Sequence, residues 1–253
     1  MTRYFTYALG VVLFLSGLSA KATIITVSPE SVRTITEAIL LSLDCDTIQV
    51  SSGTYKEGTI SINRPIVLIG LDWPVIDGEE KGDVLIVTAS HVVIEGFVLR
   101  GTAISDMNDY AAINAIGLTD LVVRNNRIEN CFFGIRLNSV LRALVERNVV
   151  TGDASVEENR RANGIHLWKW TGITIRGNRV QDHRGGIYLE VVTDSHIDYD
   201  TSAFNSRYGL HFMFSHRDSY THNIFEENGA GVAVMFTHHV TMTDNRFHNN
   251  CGA

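Results

Sequence analysis

The chain has 253 residues, 45% of them hydrophobic, with three prolines and 28 Asp and Glu against 21 Lys and Arg, for a formal net charge of −7. That length supports one sizeable core, and the acidic balance argues against a protein that binds nucleic acid by neutralising phosphates. Cys45, Cys131 and Cys251 are an odd number at unrelated spacings, so they form no disulfide framework, and at least one thiol is unpaired or pairs with another chain.

The first element is a secretory leader. Arg3 precedes the apolar run Tyr4 to Leu18, which is too short and wrongly flanked for a membrane span. Ala20-Lys21-Ala22 places small residues where a signal peptidase reads. Residues 1–22 therefore read as a signal peptide and 23–253 as a single domain. Losing Arg3 and Lys21 leaves 19 basic residues against 28 acidic, a net of −9. No later segment is long and apolar enough to span a bilayer. Next, Val32, Ile35, Ile39 and Leu43 recur at helical spacing, predicting an amphipathic helix over about 31–43 that caps an apolar end. Asp46 to Tyr55, DTIQVSSGTY, reads as strand, glycine turn, strand.

From there the chain repeats itself. GIRLNSVLRALVERN, GIHLWKWTGITIRGN, GIYLEVVTDSHIDYD, GLHFMFSHRDSYTHN and GVAVMFTHHVTMTDN begin at Gly134, Gly164, Gly186, Gly209 and Gly231. Fourteen residues on stand Asn148, Asn178, Asp200, Asn223 and Asn245. The starts are 30, 22, 23 and 22 residues apart, and the 30 contains an insertion near Thr151 to Ala162. Weaker copies place Asn126 fourteen after Ala112 and Gly96 fourteen after Gly82, so the clearest repeats run over 112–253.

A 22 to 23 residue period of short alternating β-branched runs predicts an all-β fold, a right-handed parallel β-helix with three strands per coil. Coils stack at about 4.8 Å. The recurring Asn would form an internal ladder that satisfies backbone groups at one turn. The recurring Gly would supply a turn with positive φ. The sequence stops at Asn250-Cys251-Gly252-Ala253 with no visible cap, which reads as a truncated form of a longer protein or an end covered by a partner.

The repeat assigns faces, because strand side chains alternate. One after the Gly stand Ile135, Ile165, Ile187, Leu210 and Val232. Three after stand Leu137, Leu167, Leu189, Phe212 and Val234. Both columns are apolar and should point inward. The mixed columns between and beyond them should point outward: Arg136, His166, Tyr188, His211, Ala233, and then Asn138, Trp168, Glu190, Met213, Met235. At the far rim lie His216 and His238, with His239 beside them. Thioether and imidazole together suit Cu(I), although outward Met also suits a protein contact. The aromatics of the same face, Trp168, Trp170, Tyr188, Phe214 and Phe236, leave open a carbohydrate-binding groove. Its chemistry would fall to Glu190, Lys169, Asp194 and Arg184.

NGIHLWK (163–169), GGIYLEV (185–191), RYGLHFMFSH (207–216) and GAGVAVMFT (229–237) in tandem resemble the NosD family. Weaker resemblance runs from about residue 25 to the end. The resemblance implies an exported, non-enzymatic accessory protein in the periplasm that helps assemble the copper centres of nitrous oxide reductase. It implies partners: the membrane subunit of an ABC transporter, through which the protein is membrane-associated, a copper chaperone lipoprotein, and the reductase. ATP chemistry would belong to partner subunits, since no Walker motif occurs here. The matching copper-handling or docking residues are His166, His211, Met213, His216 and Met235; His238 and His239 fall outside the matched segments. Trp168, Tyr188, Glu190, Phe214 and Phe236 would form the partner face. Family members are normally longer toward the C-terminus. The competing expectation is a β-helical protein that binds carbohydrate or modifies uronate polymers as a lyase or epimerase.

Overall fold

The structure, a computed structural model, describes residues 22–30 and 34–251. The expected leader, apart from Ala22, lies outside the described residues, as do Val32 and the side chain of Trp170. The chain winds into a parallel β-solenoid. Each coil supplies three strands, as in Gly185–Thr193, His196–Asp198 and Thr201–Ala203. The first two faces merge into an 18-stranded sheet, and the third forms a nine-stranded sheet. Pairing between successive coils is parallel throughout the described strands, so equivalent residues stack directly. One such column runs Ile48, Leu68, Ile94, Val123, Val145, Ile175, Ile197 and Tyr220. All eight are fully buried. Each contributes about 1.5–3 kcal/mol through burial.

The Asn column forms the expected ladder. Asn126 N donates to Asn148 Oδ1 (3.0 Å) and Asn148 N to Asn178 Oδ1 (2.9 Å). Asn178 N donates to Asp200 Oδ1 (2.6 Å), and Asp200 N to Asn223 Oδ1 (2.9 Å). The amide nitrogens also reach core carbonyls, such as Asn148 Nδ2 to Val123 O (3.0 Å). Polar turns are thereby carried inside the coil without orphaned backbone groups. A second ladder, Asn205–Asn228–Asn250, runs at another turn. Upstream, the ladder position belongs to Phe97, whose N–H donates to Asn126 Oδ1, and not to Gly96. The register aligns Ala112 with Val84 and not with Gly82, and Phe97 stands 13 residues after Val84 where Asn126 stands 14 after Ala112.

The recurring glycines serve a purpose other than the expected one. None of Gly134, Gly164, Gly186, Gly209 and Gly231 has positive φ. They lie where the coil interior is too tight for a side chain. A Cβ at Gly209 would come 2.7 Å from Asn228 Nδ2, and one at Gly186 would meet Ser202 Oγ and come 2.6 Å from Gly209 O. The left-handed residues stand at the corners instead. One set, Arg147, Gly177, Tyr199, His222 and Asp244, immediately precedes the ladder.

The helix spans Ile35–Leu41, shorter than 31–43. Thr34 caps it in a capping box with Glu37, and Glu57 accepts from the N–H groups of Ile35 and Thr36. Ile35, Ala38 and Ile39 are buried over the first coil. Leu43 lies beyond the Ser42 C-cap and is exposed, so it is not part of the apolar stripe. At the other end, the inward-column residues Val234 and Phe247 are exposed on the last described coil.

Candidate functional site

The face in question is built from five stacked strands: Phe133–Asn138, Asn163–Thr171, Gly185–Thr193, Tyr208–Met213 and Ala230–Met235. Inward residues Ile135, Ile165, Ile187 and Leu210, and Leu137, Leu167, Leu189 and Phe212, are buried. Alternation therefore turns the intervening side chains outward. The register stacks Arg136, His166, Tyr188, His211 and Ala233, and likewise Asn138, Trp168, Glu190, Met213 and Met235.

The rings of the first column form a ladder, which Phe133 of the same sheet extends at one end. Phe133 and His166 centroids are 5.3 Å apart, His166 and Tyr188 4.8 Å, and Tyr188 and His211 4.8 Å. Tyr208 flanks His211 at 4.9 Å. His166 Nδ1 lies 3.1 Å from Asn163 Nδ2. Burial, aided by the positive charge of Arg136, lowers its pKa to about 4. His211 differs: its Nε2 is buried and has no hydrogen-bond partner. Burial, and then Arg207, lower its pKa, which favours the neutral ring with a lone pair.

The second column sets Met213 beside Met235 in direct register, about 4.8 Å apart along the backbone. His211 and Met235 line one shallow hollow of about 410 Å³ with Tyr188, Tyr208 and Arg207. His211 and Met235 therefore share the hollow, and Met213, which is not in its wall, stands in register with Met235. His166 is separated from His211 by the Tyr188 coil. His216 lies past the corner, where it stacks on His238 at 5.1 Å and its Nδ1 accepts from His238 N (3.0 Å). His239 has positive φ at the same corner.

Phe214 and Phe236 stand at the bend with Lys169 and Val191, all with φ between 50° and 59°. This turn points both phenyl rings to solvent, stacked at 5.0 Å. Trp168 carries Lys169 Nζ over its ring at 4.4 Å. Tyr188 OH donates to Glu190 Oε2 at 2.9 Å, which with burial raises the phenol pKa. Glu190 has no second carboxylate in its column. Asp194 is held by Arg217 through two 2.8 Å bonds, which lower its pKa to about 2. Arg184 lines the hollow. Tyr208 and Arg207 are the members that sequence reasoning missed. The residue before each repeat Gly was their signal, and that column, Phe133, Asn163, Gly185, Tyr208, Ala230, has no shared chemistry.

Among the described residues no three His, Cys, Asp or Glu side chains form a metal-holding cluster, so a metal here would need the thioethers. Cys45, Cys131 and Cys251 are free. No helix among the described residues is long and apolar enough to cross a membrane.

Comparison with known proteins adds the following. Solved structures share the fold at low identity. Pectate lyase Pel9A matches with a TM-score of 0.63 and 16% identity over 88% of this chain and 71% of that one. The mannuronan C-5 epimerase AlgE6 A-module of Azotobacter vinelandii matches with a TM-score of 0.58 and 12% identity over 82% and 68%. At such identities the likeness concerns architecture alone. A protein of Pseudomonas aeruginosa named as a probable ABC transporter binding protein NosD is 33% identical over 139 residues, 54% of this chain and 32% of the relative. Its namesake in Stutzerimonas stutzeri is 29% identical over 140 residues, with the same coverage. The match thus spans about a third of the length of these curated relatives. Residues 146–253 match the NosD family, described as periplasmic copper-binding protein. Over those residues, the chain is similar to the NosD family.

Proposed function

We propose that this chain is an exported, periplasmic accessory protein that handles copper as cargo during assembly of the copper centres of nitrous oxide reductase. It would dock to the membrane subunit of an ABC transporter and receive copper from a lipoprotein chaperone. Residues 1–22 would direct export. The reading is supported most by one observation: His211, with a buried Nε2 that has no partner, shares a hollow with Met235 of the next coil, and Met213 of its own strand stands in register with Met235. One imidazole and two thioethers form a soft donor set suited to Cu(I). The set is short of charged ligands, which favours exchange over storage. His166 and His216 already have hydrogen-bonded Nδ1 atoms and would act as flanking or relay groups. Trp168, Tyr188, Glu190, Phe214 and Phe236 would give a partner its contact area; the exposed stack of Phe214 and Phe236 resembles an anchor.

An accessory role is favoured over glycoside hydrolysis because Glu190 lacks the second acid that hydrolysis needs. The test is the copper content of the reductase produced alongside this chain, unaltered or carrying Met213→Ala with Met235→Ala. A copper-poor reductase with the variant is expected. Full copper loading with the variant would sink the proposal.

A further inference from the structure

The link from the third strand of a coil to the first of the next is three residues at 130–132, 182–184 and 227–229, and four at 204–207. At 101–110 it is ten, and at 152–162 eleven. Long connections in a compact fold are commonly functional. These two occur at the same turn and enclose a cavity of about 570 Å³, a size that suits a small organic molecule.

The chemistry of its walls is specific. Arg160 and Arg161 both line the cavity. The ion pair of this loop joins Glu158 to Arg207 instead, and Arg161 Nε is buried with no partner. Asp153, also in the wall, accepts from the N–H and hydroxyl of Ser155 and interacts more weakly with the charge of Arg161. Glu80 stands exposed at the edge.

His183 completes the wall. Its backbone N–H donates to Asn205 Oδ1 (3.1 Å), as Asn205 N does to Asn228 Oδ1 (3.0 Å). It therefore occupies a position of the second Asn ladder. Its ring makes no ladder bond, and its fully buried Nε2 has no partner. Burial, and then Arg161, lower its pKa to about 3, so the ring is neutral. An orphaned buried nitrogen is unfavourable, and an Asn here would continue the ladder instead. A bare inorganic anion would satisfy the arginines yet leave most of the cavity unfilled.

We propose that this cleft binds a small hydroxylated organic acid, with its carboxylate held by Arg160 and Arg161 and a hydroxyl meeting His183 Nε2. The cleft shares no lining residue with the His211 hollow, and the proposal does not depend on copper handling. Calorimetric titration with gluconate tests it, against acetate (carboxylate alone) and sorbitol (hydroxyls alone). Saturable gluconate binding is expected, with acetate and sorbitol about tenfold weaker or more. Arg161→Gln and Arg160→Gln should each weaken gluconate binding about tenfold or more. His183→Asn, which continues the ladder and keeps the fold, should weaken gluconate but not acetate. No saturable gluconate binding, or an affinity unchanged in both arginine variants whose thermal unfolding matches the parent, would overturn the proposal.

Discussion

Asp200 sits in the ladder where every neighbouring rung is Asn. Its Oδ1 accepts from Asn178 N and Asn178 Nδ2 (2.6 and 2.9 Å), but its buried Oδ2 has no partner. In the equivalent place, Asn178 Nδ2 donates to Val145 O and Asn223 Nδ2 to Ile197 O, both at 2.9 Å. An ionised Oδ2 would set oxygen against oxygen, whereas a protonated one can donate. Burial pushes the carboxyl pKa up to about 7 from 3.8. The folded state therefore keeps a proton that the unfolded chain releases. The resulting stability is full below about pH 4 and is lost as pH rises through about 7. Linkage puts the loss at roughly 4 kcal/mol as an upper bound. Asp200→Asn supplies the missing donor at every pH. We expect it to stabilise the protein by about 2 kcal/mol at pH 8 and to change stability by less than about 1 kcal/mol at pH 4.5. Asp218, also raised to about 7 by burial, is present in both proteins and cancels in the difference. Urea unfolding at the two pH values measures it. A variant less stable than the parent at pH 8, or an equal difference at both pH values, would refute the reasoning.

Four further outcomes are expected. Gly186→Ala drives a methyl into Ser202 Oγ and Gly209 O and should cost about 3 kcal/mol in urea unfolding; a neutral result would mean that the coil interior can relax. Val191 is a β-branched residue held at φ 56°, so Val191→Asn should raise stability by about 1 kcal/mol, read from the same assay. Thr34→Ala removes the side-chain cap of the first helix and should cost about 1 kcal/mol. His166 has a folded pKa of about 4 against 6.5, so its neutral form contributes stability above pH 6.5 that is lost as pH falls towards 4. His166→Gln should flatten that part of the stability profile, and an unchanged slope between pH 7 and 4.5 would count against it.

The repeat was legible because one coil has a fixed perimeter. A period of 22 places Tyr188 over His166, and the insertion in the preceding coil is looped out at a turn, so that Ile165 still pairs with Ile135 thirty residues earlier. The same logic exposed the Asn ladder. It failed where packing rather than spacing sets the residue. Gly186 and Gly209 look like turn glycines in one dimension, yet their constraint comes from Ser202 and Asn228 on the opposite wall. Gly96 matched by count from Gly82, but the register starts that copy at Val84 and gives the ladder position to Phe97. The helix ended at Leu41 because Ser42 closes it, a boundary that apolar periodicity through Leu43 concealed. For the candidate site, the columns located His211, Met213 and Met235. Only the fold separated His166 and His216 from them and added Tyr208. The second cleft was not visible at all, because its wall draws on residues from Glu80 to His183 that no repeat column links.

The central claim is that the His211, Met213 and Met235 face binds Cu(I). Anaerobic Cu(I) titration against a competing chelator tests it, with the Met213→Ala, Met235→Ala double variant and His211→Ala alongside. Saturable binding by the parent that is lost in the double variant and weakened in His211→Ala is the predicted result. No binding above the chelator background, or equal binding by the double variant, would contradict the claim and leave this face as a surface for protein contact alone.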